Sequence, residues 1–344
     1  MHHDTYLNWV ITNTKTSWWH DSADVDELAY GLQHGAVGVT CNPYLSNLAV
    51  TKYRSQGDQE VEAVIAKKLP AEQQAEELMR IAVTRCAKML EPVYERTQGA
   101  SGYVCAQVNP LRTGDREAML AMARRFNKWA PNIAVKLPAA AAGLDVEEEC
   151  IAEGITVTLT VSFTVPQVLA IAERHRKGIE RAKAKGIKPG RCYAVIMIGR
   201  LDDYLREVAQ DNKANVSESD IRWAGLACTK RAYKIYQERG YEAELLIAAL
   251  RGPYHLTELA GANLIMSIAP GPQKWFIEEN QPREQRIDRE VPADVLDRLL
   301  KMPEFVKAYE PDGMKVTDFI GYGVTQRTLS FFAEVGWKLL EGHK

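Results

Sequence analysis

Two features of the sequence predict a closed (β/α)8 barrel, the TIM-barrel class of α/β fold. Short apolar runs suited to strands alternate with longer amphipathic stretches along most of the chain. That alternation gives parallel strands joined by right-handed helical crossovers. Eight such runs precede Pro270, and eight repeats suit a closed barrel better than an open doubly wound sheet. An open sheet is the alternative, because strand counts from sequence can miss by one or two. After Pro270 the texture changes to charged loop and helical patterns, which predicts a helical C-terminal extension.

The expected strands, in order, are Ser17–Asp21, Ala36–Cys41, Gly102–Val108, Ile133–Leu137, Ile155–Phe163, Cys192–Ile198, Glu244–Leu250 and Asn263–Ile268. Between them lie helical stretches at Glu72–Tyr94, Asp115–Trp129, Val165–Lys185, Asp220–Glu238 and Leu256–Leu259. The 344 residues exceed an average domain but suit one barrel with additions. We expect residues 1–275 to form the barrel catalytic domain. Residues 276–344 are expected to pack on it as a helical extension, not as an independent domain. Within that extension Gln281–Glu290 is charged and reads as an exposed loop. Pro292–Lys301 and Thr325–Leu340 read as helices, joined through the turn-rich Glu310-Pro311-Asp312-Gly313.

With 46% hydrophobic and 26% charged residues the chain has ample material for a core. Its formal net charge of −2 argues against nucleic acid or anionic membrane as the main partner. No apolar stretch approaches the ~18 residues of a membrane span, and the first residues lack a signal-peptide pattern. The basic stretch Arg174–Arg191 follows a helical pattern without interleaved aromatics, so it reads as a solvated helix face. The six cysteines are scattered, several within apolar runs, which predicts buried free thiols and a reducing, cytoplasmic setting. The seven histidines offer no ligand spacing, so no metal is expected. Walker A and dinucleotide-binding glycine patterns are also missing.

In such a barrel the functional residues come from the C-terminal ends of the strands and the loops that follow. Those positions hold Asp21, Asn42, Gln107, Lys136, Thr160, Arg200 and Arg251. Lys136 stands out because it interrupts the apolar run Asn132–Ala139, a strand that a parallel barrel buries on both faces. A charge there is costly unless paired or neutralised. A lysine that snorkels or meets a structural carboxylate is the plainer alternative. The functional one is an amine nucleophile, which must be unprotonated although lysine's ordinary pKa is about 10.4. Burial alone can lower a lysine by up to about 3–5 pH units, enough for Schiff-base chemistry with a carbonyl substrate.

The segments Asp21-Ser22-Ala23-Asp24, Gly38–Pro43, Asn132–Ala139, Gly154–Phe163, Ile198-Gly199-Arg200 and Ala248–Arg251, with Leu259–Ala262 after them, occur in a telling order. Together they resemble the transaldolase family, which includes the smaller fructose-6-phosphate aldolases. The resemblance covers roughly residues 17 to 270. It implies a (β/α)8 barrel with the Schiff-base lysine on the fourth strand, where Lys136 falls. By the same resemblance Asp21 moves protons to and from the sugar hydroxyl, and Asn42 binds a hydroxyl near the iminium. Thr160 and the strand-three residue hold a catalytic water. Arg200 and Arg251 match phosphate-binding arginines, whose planar forks suit an anionic tail; a surface ion pair is the plainer reading of both.

The sequence also departs from the family pattern. Gln107 replaces the glutamate of transaldolases and matches the glutamine of the aldolases. Met197 replaces both the aldolase tyrosine and the transaldolase phenylalanine. Thr158 stands where an asparagine is usual, and two phosphate-binding serines align with Val195 and Ala249. The expected activity is transfer of a three-carbon dihydroxyacetone unit from a ketose, a sugar phosphate or similar anion, to an aldehyde. Simple aldol cleavage is the alternative, and a non-catalytic sugar-phosphate-binding barrel a more distant one. No cofactor is expected. The family further implies a homo-oligomer, with the Phe331, Phe332 and Trp337 stretch offering a contact surface.

Overall fold

The computed structural model describes residues 4–344, so the first three residues of the expected 1–275 unit lie outside it. Eight parallel strands close a barrel in sequence order. They are β1 (Ser17–Asp21), β2 (Val39–Thr40), β3 (Val104–Gln107), β4 (Ile133–Pro138), β5 (Val157–Thr160), β6 (Cys192–Met197), β7 (Glu244–Ala248) and β8 (Ile265–Ile268). β8 pairs with β1 to complete the ring. The chain is therefore a (β/α)8 barrel with additional C-terminal helices, as expected.

Several strands are shorter than the apolar runs that announce them. Ala36 and Cys41 flank β2 and are buried without belonging to it, because apolarity reports burial and not ladder pairing. β5 stops at Thr160 because Val161 takes a left-handed backbone with φ 57°. Ala249 does the same, with φ 62°, directly after β7. Left-handed backbone is costly for a β-branched residue and uncommon for alanine, and both kinks turn the chain at the barrel mouth.

The helices follow their capping signals. Asp115 accepts from the Ala118 amide to start Arg116–Phe126, and Thr164 accepts from the Gln167 amide to start Val165–Ala184. The stretch expected as one helix over Asp220–Glu238 is two, Glu218–Ile221 and Ala224–Arg239, the first opened by a Ser217–Asp220 capping box. The basic stretch is a paired helix face. Arg174 meets Asp145 and Glu148, and Arg181 meets Glu148 and Glu149, on the neighbouring helix Ala141–Ala152. The six cysteines are buried and unpaired. Among the described residues no helix is long and apolar enough to cross a membrane.

The barrel interior has two unlike ends. Trp19, Tyr103 and Tyr193 fill the N-terminal end, with the Trp19 and Tyr193 rings edge to face at 4.7 Å. Polar side chains line the C-terminal end. The C-terminal segment reaches over that end as helix Gly323–Phe332, a π-type turn at Ala333–Trp337, and helix Lys338–Glu341. The helix expected over Thr325–Leu340 is present as one unbroken helical run with this π-type turn inside it. Gly336 lies at the π-type turn, where a Cβ would come within 2.6 Å of the Tyr44 amide. Phe332 and Trp337 are buried against their own chain. They fill the barrel mouth and its flank, which corrects the expectation that they form a contact surface for a second copy.

Candidate active site

Lys136 sits near the end of β4 and is 6% exposed. Its Nζ donates to the Cys41 carbonyl oxygen at 3.0 Å, and no carboxylate takes a hydrogen bond from it. Across the barrel, burial pushes the Asp21 carboxyl above the usual carboxylate range, while the charges of Lys136 and Arg200 and a Thr40 hydrogen bond pull it back. Thr40 Oγ1 donates to Asp21 Oδ1 at 2.7 Å and lies 2.6 Å from Ser267 Oγ. A hydroxyl chain from β8 through β2 therefore fixes the orientation of Asp21.

Asn42 caps helix Pro43–Ser55 by accepting from the Leu45 amide at 3.0 Å. With its oxygen committed to the cap and Pro43 preset for the first turn, its side-chain amide nitrogen is left as a donor towards the cavity. Thr160, at the end of β5, directs its hydroxyl to the Met197 thioether at 3.8 Å. Asp21, Asn42, Lys136, Thr160, Met197 and Arg200 all line one cavity of about 80 Å³, with Phe332 from the C-terminal segment as part of its wall. That volume holds a few water molecules.

Gln107 and Thr158 do not line this cavity. They flank Lys136 in strand register, Gln107 on β3 and Thr158 on β5. Thr158 Oγ1 is 3.4 Å from Cys105 Sγ. Gln107 is buried, and its Oε1 has no hydrogen-bond partner. An orphan acceptor beside a buried amine is a place for a water molecule.

The two arginines differ. Arg200 stacks on Phe331 and Phe332, 4.8 Å and 5.6 Å from the ring centroids. Burial and the charge of Arg251 lower its pKa. Arg251 lies on the rim outside the cavity and binds Asp203 through Nε at 2.9 Å and Nη2 at 2.7 Å. Close packing brings the two together: a Cβ on Gly199 would sit 2.2 Å from the Ala249 carbonyl oxygen and 2.5 Å from Arg251 Cγ.

Sequence reasoning missed Thr40, Ser267 and Phe332. Ser267 carried a signal, as the lone polar residue of the apolar strand β8. Thr40 lay inside the quoted Gly38–Pro43 segment. Phe332 carried none, since its place over the mouth depends on the tertiary path of the extension. Among the described residues no group of three or more His, Cys, Asp or Glu side chains is placed to hold a metal ion.

Fold and site together define a parallel barrel built around a buried lysine, with a buried carboxyl opposite it and a cationic rim. The chain matches the model of the transaldolase/fructose-6-phosphate aldolase family over residues 18–316 and belongs to that family. It is similar to "Transaldolase 1" of Streptomyces avermitilis, 31% identical over 208 residues, which are 59% of this chain and 54% of that protein. It is also similar to a "Probable transaldolase" of Dehalococcoides mccartyi, 27% identical over 252 residues, or 73% of this chain and 84% of that protein. In the Streptomyces avermitilis relatives the matched stretch spans just over half of their length.

Proposed function

We propose that this chain is a lysine-dependent, class I transaldolase that moves a dihydroxyacetone unit from a ketose phosphate to an aldehyde. The observation that carries the reading is Lys136, buried at the cavity floor with a single carbonyl acceptor for its amine. Withdrawn from bulk solvent and free of a carboxylate, the amine is poised to attack the ketose C2 carbonyl. The carbinolamine then loses water to give an iminium, with protons carried by a water held near Thr160 and Gln107. Asp21 takes the C4 hydroxyl proton as the C3–C4 bond breaks. The electron pair flows to the iminium, leaving an enamine and releasing an aldehyde. The enamine attacks a second aldehyde, Asp21 returns the proton, and hydrolysis frees the new ketose and Lys136.

Asn42 donates to a donor hydroxyl beside the iminium, while Met197 and Thr158 shape the walls. Arg200 and Arg251 attract the anionic tail. Residues 276–344 belong to the same unit, since Phe332 walls the cavity. Six buried free thiols suit a cytoplasmic setting.

Cleavage without transfer is the second reading, favoured by Gln107, a neutral amide that positions water without ionising. The two separate on fructose 6-phosphate, assayed with and without an acceptor aldehyde. We expect acceptor-dependent exchange, little free dihydroxyacetone, and no activity in Lys136→Met. Dihydroxyacetone release as fast as exchange would establish cleavage instead, and exchange surviving in Lys136→Met would remove both readings.

A further inference from the structure

Asp202 and His255 form a buried pair that the proposed reaction does not use. Both side chains are 0% exposed, with His255 Nε2 and Asp202 Oδ2 2.9 Å apart. Asp202 Oδ1 accepts from the Gly225 amide at 2.8 Å, which ties the carboxylate to the start of helix Ala224–Arg239. On the other side of the ring, the backbone N–H of Arg251 donates to His255 Nδ1 at 3.1 Å. A backbone amide can only donate, so Nδ1 is bare and the ring proton sits on Nε2, facing Asp202. The tautomer is thus dictated from both ends.

We propose that Asp202 and His255 are positioning residues that set the height and direction of Arg251 at the anionic end of the site. The inference rests on the reading of Arg251 as an anion-binding residue. Asp202 lies on helix Ile198–Asp211, two residues after Arg200 and next to Asp203, whose carboxylate holds the Arg251 guanidinium. One turn of helix therefore grips Arg251 twice, by its side chain through Asp203 and by its main chain through Asp202 and His255. The main-chain grip fixes a segment that leaves β7 through the left-handed Ala249, a kink that surrounding contacts must maintain. The relative placement of Arg200 and Arg251 follows from this clamp.

Asp202→Asn tests the clamp through the tautomer. An asparagine whose oxygen still accepts from Gly225 must present its NH2 to His255 Nε2. The ring proton then moves to Nδ1, where it opposes the Arg251 amide. Donors are fructose 6-phosphate and fructose, with glyceraldehyde as acceptor, and inorganic phosphate serves as competitive inhibitor. Arg251→Ala provides the reference. We expect Asp202→Asn to raise KM for fructose 6-phosphate and the phosphate inhibition constant by about 5- to 20-fold. Turnover of fructose and kcat should be nearly unchanged. His255→Gln, whose amide nitrogen can serve Asp202 while no atom takes the Nδ1 position opposite the Arg251 amide, should act the same way. Equal losses on both donors, or an unchanged phosphate inhibition constant in both variants, would overturn the clamp. If Arg251→Ala does not distinguish the donors, the anion-site reading falls first and the clamp with it.

Discussion

The β1–β4 side of the barrel mouth and the β6–β7 side are both polar, yet they satisfy their polar groups in opposite ways. On the first side Lys136 has one acceptor, the Gln107 oxygen has no donor, and Asp21 is held only by a hydroxyl. On the second, Asp202, His255, Asp203 and Arg251 interlock with one another and with backbone. In the proposed reaction the open side is where bonds are made and broken, because reacting groups need room for substrate atoms and water. The closed side is the one that, on the same proposal, keeps its shape to recognise an anion. Arg200 stands between the two, charged, without a carboxylate contact, and stacked on aromatic rings.

The strongest way to break this contrast is to close the open side. Asp21→Asn keeps the shape and the Thr40 contact but cannot accept a proton. We expect kcat to fall by on the order of 10²- to 10⁴-fold. KM for fructose 6-phosphate should stay close to its original value, because the cationic rim is untouched. A matching rise in KM would show that Asp21 binds and does not transfer protons.

A smaller effect should follow from loosening the frame of the locked side. Arg298 on the C-terminal extension forms a two-pronged ion pair with Asp220, at 2.8 Å and 3.1 Å, and holds that carboxyl down at about 2. A carboxyl depressed below its ordinary 3.8 contributes stability that is present above about pH 4 and lost as the pH falls through about 2. Asp220→Asn should therefore cost about 1–2 kcal/mol at neutral pH. It should also flatten the acid limb of a Tm–pH curve. An unaltered acid limb would mean that this pair contributes nothing to docking the extension.

The contrast was half legible in the sequence. Lys136 announced itself as a charge inside an apolar strand, and the polar residues at strand ends marked the open side because barrel geometry fixes where those ends lie. The eight strands were legible for the same reason, though β2 and β5 ran long in sequence, since burial continues past the last ladder bond and Val161 turns left-handed without a glycine to signal it. Of the locked side only Arg251 was legible. Asp202 and His255 are 53 residues apart and look like ordinary polar positions; only the folded chain brings them together. Phe332 was hidden likewise, being one more apolar residue in a C-terminal helix until the chain path sets it in the cavity wall.

The central claim is that Lys136 is the nucleophile, and its most direct test is covalent. Incubation with fructose 6-phosphate or dihydroxyacetone, reduction with borohydride and peptide mass mapping should find one reduced adduct. It should sit on the peptide containing Val135-Lys136-Leu137 and be missing from Lys136→Met. No adduct with any ketose donor, or an adduct on another lysine that persists in Lys136→Met, would contradict the mechanism.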